Sequence, residues 1–258
     1  MNRAATKMRG GRLGGSVGSV ERAATPPLQE SLLKNVYVVI PAFNESASIG
    51  EVVTEVRDSY PNAVVVVVDD GSADGTGEIA LRAGATRLRH VVNRGQGAAL
   101  QSGIEYGLAQ GAEVLVTFDA DGQHAVEDIG RMIAPILAGD VDVTLGSRFL
   151  GTHNDVPAAR RLLLLGGILF TRITSGARLT DTHNGLRAFS RRAGSKIRIR
   201  LDGMAHASEL IEYVHRSGLR YREVSVRVRY TPYSLSKGQR GVGALRIVFD
   251  YFLGKYLK

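Results

Sequence analysis

The sequence contains no cysteine among its 258 residues. A disulfide framework and a metal site built from thiolates are therefore excluded. Long apolar runs are also missing, since no stretch approaches the roughly 20 residues that a helix needs to cross a bilayer. The longest run, residues 162–170, is about half that length and is interrupted by glycine. It predicts a core helix or, because Arg160, Arg161 and Arg172 flank it, a helix in a membrane interface.

The formal net charge is +8, and half of it lies in the first 34 residues. This segment is rich in glycine, alanine and serine and has no apolar periodicity, so we predict a disordered basic tail at residues 1–34. It lacks the apolar core of a signal peptide, and a transit peptide is an alternative because no acidic residue precedes Glu21. No nucleic-acid motif accompanies the charge. We therefore expect an anionic membrane surface, and no nucleic acid, as a partner.

The length is sufficient for one large α/β domain with its own hydrophobic core. Runs of β-branched residues alternate with helix-like segments, which predicts βαβ units and a mostly parallel, Rossmann-like sheet flanked by helices. The clearest predicted strands are residues 36–40, 64–68 and 114–116.

Two carboxylates and an amide follow the third of these strands. Asp119, Asp121 and Gln123 are two residues apart, so in an extended chain their side chains would project to one side. Open α/β sheets bind ligands at the carboxyl ends of their strands. Oxygen donors there suit a hard divalent cation that completes its shell with water and phosphates. The alternative for a single Asp-x-Asp is a solvated turn.

Acidic or amide groups also follow the first two strands. Asn44 and Glu45 come after the first strand, and Asp69 and Asp70 come after the second. Ordinary Asp-Gly-Ser turn chemistry explains one such strand end. Three of them along one edge of a parallel sheet indicate a ligand site instead.

Seven short motifs follow one another within residues 35–240. They are residues 38–45, 67–76, 93–99, 119–124, 146–149, 181–189 and 236–238. In type and order they resemble the motifs of family-two glycosyltransferases, which have the GT-A fold. Within that family the sequence is most similar to the dolichol-phosphate mannose synthases and related polyprenyl-phosphate sugar synthases.

The resemblance implies a metal site at the third strand end. Asp119 and Asp121 would be catalytic and, with Gln123, would hold Mg²⁺ or Mn²⁺. The cation would bind the diphosphate of a nucleotide sugar and stabilise the charge that develops on the leaving phosphate.

The resemblance also implies a nucleotide site at the strand ends. Its expected residues are Pro41, Phe43, Glu45, Val68, Asp70 and Ala120. Asp70 would accept a hydrogen bond from a base N–H, whereas Asp69 is interpreted as structural. The glycines at residues 95–97 lack the Gly-x-Gly-x-x-Gly spacing, which argues against a nicotinamide enzyme.

Arg148, Lys237 and Glu209 complete the implied catalytic set. Arg148 matches an arginine near the sugar and phosphates, and Lys237 matches a basic residue that reaches the diphosphate or the acceptor phosphate. Glu209 matches a recurrent glutamate that is either a general base or a buried partner for an arginine. His183 is interpreted as a hydrogen-bonding loop residue. The mannose synthases often have an arginine where this chain has Thr231, which disfavours GDP-mannose and leaves a weak preference for a UDP-sugar.

Residues 241–258 are predicted to form an amphipathic helix because their apolar side chains recur at helical spacing. Packing on the catalytic domain and docking on a membrane both remain open. Relatives often continue into transmembrane helices at this point. Their absence here leads us to expect a peripheral protein at the cytoplasmic membrane face, with room for a small membrane-protein partner.

The expected function is an inverting, metal-dependent transfer of a sugar from a nucleotide-diphosphate sugar to a polyprenyl phosphate, by a domain at residues 35–240. One alternative is transfer to a glycan hydroxyl in cell-surface polysaccharide synthesis. A second is a catalytically silent nucleotide-sugar-binding scaffold, against which the intact set of Asp119, Asp121 and Gln123 argues. A nucleotidyltransferase would need a glycine-rich, lysine-containing loop after the first strand, which residues 41–45 do not provide.

Overall fold

A computed structural model describes residues 35–151, 158–203 and 205–229 of the chain. The basic tail, Thr231, Lys237 and the predicted C-terminal helix lie outside the described residues. The predictions made for them therefore stay predictions, as do the domain boundaries.

Within these ranges, seven strands form a single mixed sheet with the order β3-β2-β1-β4-β6-β5-β7. β6 runs antiparallel to both of its neighbours, and the other pairs are parallel. The strands are β1 (Val36–Ala42), β2 (Val64–Asp69), β3 (Thr86–Arg89), β4 (Val114–Thr117), β5 (Val143–Ser147), β6 (Arg187–Ser190) and β7 (Tyr221–Ser225). The helices are α1 (Ile49–Ser59), α2 (Thr76–Arg82), α3 (Gln96–Ala109), α4 (Asp128–Leu137), α5 (Ala158–Ser175), α6 (Arg191–Gly194) and α7 (His206–Arg216).

Hydrophobic clusters cover both faces of the sheet. Alternate residues of β1 point to opposite faces, so Val38 belongs to one cluster and Val39 to the other. The first cluster is completed by α1, α2 and α4, and the second by α3, α6 and α7. Burial on both faces explains why β1 and β2 are nearly continuous apolar runs. The predicted α/β class and the three predicted strands are confirmed.

The longest apolar run forms part of α5, and one face of this helix is exposed. Leu162, Leu165, Leu169 and Ile173 are 74%, 48%, 58% and 75% exposed and recur at helical spacing. We call these four residues the α5 stripe. The opposite face, which carries Leu164, is buried. One face of α5 is therefore packed as a core helix would be, whereas the stripe is not. No helix among the described residues combines the length and apolar character that a membrane crossing requires.

Candidate active site

The loops that follow β1 and β2 are tied together by hydrogen bonds. The backbone N–H of Asn44 donates to Ser72 Oγ, and its side-chain oxygen accepts from the N–H of Ala73. The N–H of Glu45 donates to Thr76 Oγ1 at 2.8 Å. Asn44 has a left-handed φ of 54°, a conformation that asparagine tolerates better than most residues. The two strand ends therefore form one connected edge of the site.

The residues predicted to bind the nucleotide lie along this edge. Pro41 and Val68 are register partners on β1 and β2, and both are buried. Phe43 is 45% exposed and Glu45 is partly exposed, whereas Ala120 is buried beside β4. Phe43 and Glu45 can therefore offer their side chains to a nucleotide, whereas Val68 is 0% exposed. Their roles in binding remain predictions.

Asp70 is buried at the centre of a hydrogen-bond network. Its carboxylate lies 2.6 Å from His90 Nδ1 and accepts the N–H groups of Arg94 and Gly95 at 3.0 and 2.7 Å. His90 Nε2 in turn lies 2.9 Å from Ser102 Oγ on α3. These contacts fix the loop at residues 90–95 against the end of β2. The Asp70 carboxylate would form the predicted hydrogen bond to a nucleobase in addition to these contacts.

Asp119, Asp121 and Gln123 lie in a turn that follows β4. The strand ends at Thr117, and the chain then reverses with Gly122 at a φ of 71°. The N–H of Gln123 donates to Asp121 Oδ1 at 3.0 Å, as in an Asx turn. The chain does not stay extended past Asp119, so the condition under which these side chains would project to one side is not met.

The two carboxylates differ in their electrostatic surroundings. Burial alone would raise the pKa of Asp119, but a hydrogen bond from the His124 ring at 2.9 Å and the charge of Arg187 lower it below its ordinary value. Burial raises the pKa of Asp121, and the negative charges of Asp119 and Glu45 add to this shift. The ionised form of Asp121 is therefore disfavoured, and a bound cation would stabilise it.

The oxygen donors of this turn fit a hard divalent cation. Two carboxylates and a side-chain amide are ligands of the type that Mg²⁺ and Mn²⁺ prefer. Within the described ranges, no cluster of three or more His, Cys, Asp or Glu side chains could hold a metal. A cation at Asp119 and Asp121 would therefore need further oxygen ligands from substrate phosphates and water, which is the usual way in which proteins bind Mg²⁺.

Gly185 supports Asp119 from the neighbouring loop, a role that sequence reasoning missed. A Cβ atom on Gly185 would lie 2.2 Å from Asp119 Oδ2 and 2.4 Å from Oδ1. Thr117 Oγ1 donates to the carbonyl of Gly185 at 2.7 Å and holds that backbone in place. Gly185 belongs to the motif at residues 181–189. No local sequence pattern, however, indicates that a side chain at this position would collide with Asp119.

Arg148 and Asp181 form a buried ion pair behind this loop. Arg148 Nε lies 2.6 Å from Asp181 Oδ2, and the Arg148 backbone N–H donates to the same oxygen. Arg148 Nη2 donates to the carbonyl of His183 at 3.0 Å. The side chains of the pair are 5% and 0% exposed, so the geometry must compensate for desolvation. Arg148 directly follows β5 and holds the loop that contains Asp181 and His183. Its contact with the sugar and phosphates remains a prediction.

His183 joins the same loop to α5. Burial lowers the pKa of His183 below its ordinary value, and Nδ1 lies 2.8 Å from Thr182 Oγ1. A Cβ atom on Gly167 of α5 would approach the His183 ring to 2.7 Å. The buried face of α5 therefore rests directly on the loop that carries Gly185.

Glu209 binds backbone groups in this structure. Its carboxylate accepts the N–H groups of Arg200 and Leu201, the latter at 2.9 Å. The carbonyl of Asp202, in the same loop, accepts the N–H of Gly97 at the start of α3 at 2.7 Å. These contacts give Glu209 a role in holding the loop before α7. Its predicted role in catalysis remains a prediction.

Residues 37–198 match the family model for glycosyl transferase family 2. The chain is 30% identical over 244 residues to the UDP-N-acetylglucosamine–dolichyl-phosphate N-acetylglucosaminyltransferase of Methanococcus voltae, covering 86% of this chain and 96% of that protein. It is 36% identical over 183 residues to the polyprenol monophosphomannose synthase of Mycolicibacterium smegmatis, covering 68% of this chain and 67% of that protein.

Solved structures show the same fold. Glucosyl-3-phosphoglycerate synthase from Mycobacterium tuberculosis, in complex with Mn²⁺, UDP and glucosyl-3-phosphoglycerate, superposes with a TM-score of 0.67 at 18% identity. The match covers 90% of this chain and 85% of that protein, and it confirms the predicted GT-A architecture. The chain belongs to glycosyl transferase family 2 and is a glycosyltransferase of the polyprenyl-phosphate sugar synthase branch.

Proposed function

We propose that this glycosyltransferase moves a sugar, with inversion, from a nucleotide-diphosphate sugar to a polyprenyl phosphate at the cytoplasmic face of a membrane. One observation carries the proposal. The loop at residues 181–187 touches Asp119 through Gly185 and contacts the buried face of α5 through His183. The candidate reaction centre thus lies next to a helix whose outer face is apolar and exposed.

Mg²⁺ or Mn²⁺ held by Asp119, Asp121 and Gln123 would stabilise the negative charge that develops on the leaving diphosphate. In the reaction, the bond between the anomeric carbon and the β-phosphate oxygen breaks, and its electron pair leaves with the nucleoside diphosphate. A new bond forms from the anomeric carbon to an oxygen of the acceptor phosphate. The solved relative that holds Mn²⁺ and UDP and the Methanococcus voltae enzyme named for UDP-N-acetylglucosamine support a metal and a weak preference for UDP.

The contacts of Glu209 agree with a phosphate acceptor. A phosphate is already anionic at neutral pH, whereas a sugar hydroxyl needs a general base worth about 10²–10⁴-fold in rate. Glu209 is engaged by two backbone N–H groups, and Asp181 is engaged by Arg148. Neither carboxylate is positioned in this structure as a free base.

The acceptor class is tested by two variants of the full chain. With a short polyprenyl phosphate, Mn²⁺ and labelled UDP-, GDP- and dTDP-sugars, we expect glycosylated lipid phosphate from the wild type. Glu209→Gln is expected to retain most of the turnover, because the amide oxygen still accepts the two N–H groups. Lys237→Ala is expected to be more damaging, since it removes a cation predicted to orient a phosphate. An inactive Glu209→Gln beside an active Lys237→Ala would overturn the lipid-phosphate acceptor.

The membrane surface is proposed to contact the α5 stripe. Residues 158–175 contain three arginines and no acidic residue, and Arg161 and Arg172 are exposed. Burying a leucine or isoleucine side chain contributes about 1.5–3 kcal/mol, and each basic residue near an anionic surface adds about 1 kcal/mol. A stripe of four apolar side chains bordered by arginine is therefore suited to an anionic bilayer.

The double substitution Leu169→Glu and Ile173→Glu is expected to reduce partitioning into vesicles containing phosphatidylglycerol at least about tenfold, because it places two carboxylates where apolar side chains would be buried. Sedimentation with vesicles measures the effect. Leu81→Glu is the matched control, since Leu81 is a 53% exposed leucine on α2, beneath the other face of the sheet. Unchanged partitioning of the double variant, with loss only on truncation after Gly241, would assign docking to the C-terminal segment.

A further inference from the structure

Arg187 is a buried cation close to the candidate reaction centre. It begins β6, is 3% exposed, and lies opposite Thr117 in the antiparallel register of β4 and β6. Residues that face each other across such a pair share one side of the sheet. Thr117 is two residues before Asp119, and the charges of Asp119 and Asp181 both act on Arg187. The Arg187 side chain therefore lies within electrostatic range of Asp119 and of the ion-paired Asp181.

The guanidinium of Arg187 makes no hydrogen bond and no ion pair to any side chain or carbonyl in the part of the chain that the structure describes. The nearest carboxylates already have other direct partners: Asp181 pairs with Arg148, and Asp119 contacts the His124 ring at 2.9 Å. An arginine carries five N–H donors and stays charged in proteins. The N–H groups of Arg187 are therefore available to an anionic ligand.

The pKa of Arg187 shows that burial outweighs the attraction of its acidic neighbours. Burial lowers the pKa of Arg187 to about 10, and this outweighs the opposite effect of Asp119 and Asp181. Burial, followed by the charge of Arg187, lowers the pKa of the nearby His206 to about 4. His206 is therefore neutral at physiological pH and adds no competing charge. Arg187 is therefore a buried guanidinium whose N–H groups are not taken up by the two acidic neighbours that attract it.

We propose that Arg187 is a phosphate-binding residue of the substrate complex, donating its N–H groups to a phosphate oxyanion beside Asp119. The planar guanidinium is suited to binding two oxygens of one phosphate. The inference rests on the proposed function, which supplies two such groups: the donor diphosphate and the acceptor phosphate. The ligand chemistry is the same for both, and the experiment distinguishes them.

The test compares the wild type with Arg187→Gln, Arg187→Lys and the control Arg82→Gln, an exposed arginine on α2. Thermal melting with Mn²⁺ alone, with added pyrophosphate and with added inorganic phosphate reports on anion binding without any turnover. Calorimetry with UDP and Mn²⁺ measures the donor side. The KM for a short polyprenyl phosphate, measured apart from kcat, reports on the acceptor side.

We expect Arg187→Gln to bind a phosphate ligand at least about tenfold more weakly than the wild type, because the N–H groups that would meet the anion are removed. Arg187→Lys should lie between the two, and Arg82→Gln should match the wild type. Weaker UDP and pyrophosphate binding assigns the donor diphosphate. Normal UDP binding with a raised KM for the lipid assigns the acceptor phosphate.

A lower melting temperature for Arg187→Gln with unchanged affinity for every phosphate ligand would overturn the proposal and make Arg187 a structural residue. A wild-type protein that transfers no sugar to a lipid phosphate would contradict the proposed acceptor. The phosphate site would still stand if pyrophosphate stabilised the wild type against melting and did not stabilise Arg187→Gln.

Discussion

Asp119→Asn and Asp121→Asn are each expected to lower turnover at least about a hundredfold, because loss of one preorganised charge stabiliser costs roughly 3 kcal/mol in such sites. Both residues follow β4 in a turn at the sheet edge, and both are only partly buried by the protein. Their replacement changes the ligands of the proposed cation without opening a cavity in either hydrophobic cluster.

The stability of these variants separates a metal role from a folding role. The pKa of Asp121 is raised by burial and by Asp119, so its ionised form is disfavoured in the metal-free protein. We therefore expect Asp121→Asn to melt no lower than the wild type without metal. Asp58→Asn, at an exposed position on α1, serves as the matched control.

Initial rates at increasing Mn²⁺, together with melting curves, measure both effects. The wild type should lose activity in excess EDTA and regain it when Mn²⁺ is restored. Full activity of the wild type and of both variants in excess EDTA would eliminate the metal assignment.

Gly185→Ala is expected to lower turnover by about a hundredfold or more, since a displacement of about 1 Å in a catalytic group has effects of that size. The added Cβ would lie 2.2 Å from an oxygen of Asp119, well inside contact distance. The glycine backbone is fixed by the hydrogen bond from Thr117, so the carboxylate is the group that must move. Gly185 is not among the glycines with positive φ, which makes the expected effect steric.

Gly166→Ala is the matched control for this substitution. A Cβ atom at Gly166 meets no atom within 4 Å, and alanine has the higher helix propensity. We expect this variant to keep wild-type turnover and to melt at or slightly above the wild-type temperature. Wild-type turnover of Gly185→Ala, measured under the same conditions, would contradict the placement of Asp119 against the loop.

Both predictions concern a site that was only partly foreseeable. The sequence indicated Asp119, Asp121 and Gln123 because they follow a run of β-branched residues, and it indicated that three strand ends share one edge. It left a turn at Gly122 as an alternative to an extended chain, and the structure decided for the turn.

The partners of the predicted catalytic residues were also beyond sequence reasoning. Glu209 matches a recurrent glutamate in the family, but its acceptance of N–H groups from Arg200 and Leu201 depends on how a loop folds back onto α7. The ion pair of Arg148 with Asp181 depends on the loop that precedes β6 passing the end of β5. Such contacts join residues that no local periodicity relates.

The sequence by itself determined the α/β class, the first strands and the acidic strand ends, because side-chain alternation and turn chemistry act over a few residues. The tertiary structure alone decided that β6 inserts antiparallel between β4 and β5. That insertion places Gly185 against Asp119 and buries Arg187 without a direct partner. The tertiary structure also decided which face of α5 is exposed, because the sequence of an apolar run does not indicate which of its side chains other elements cover. Local patterns follow from the properties of adjacent residues, whereas these features follow from packing between distant segments.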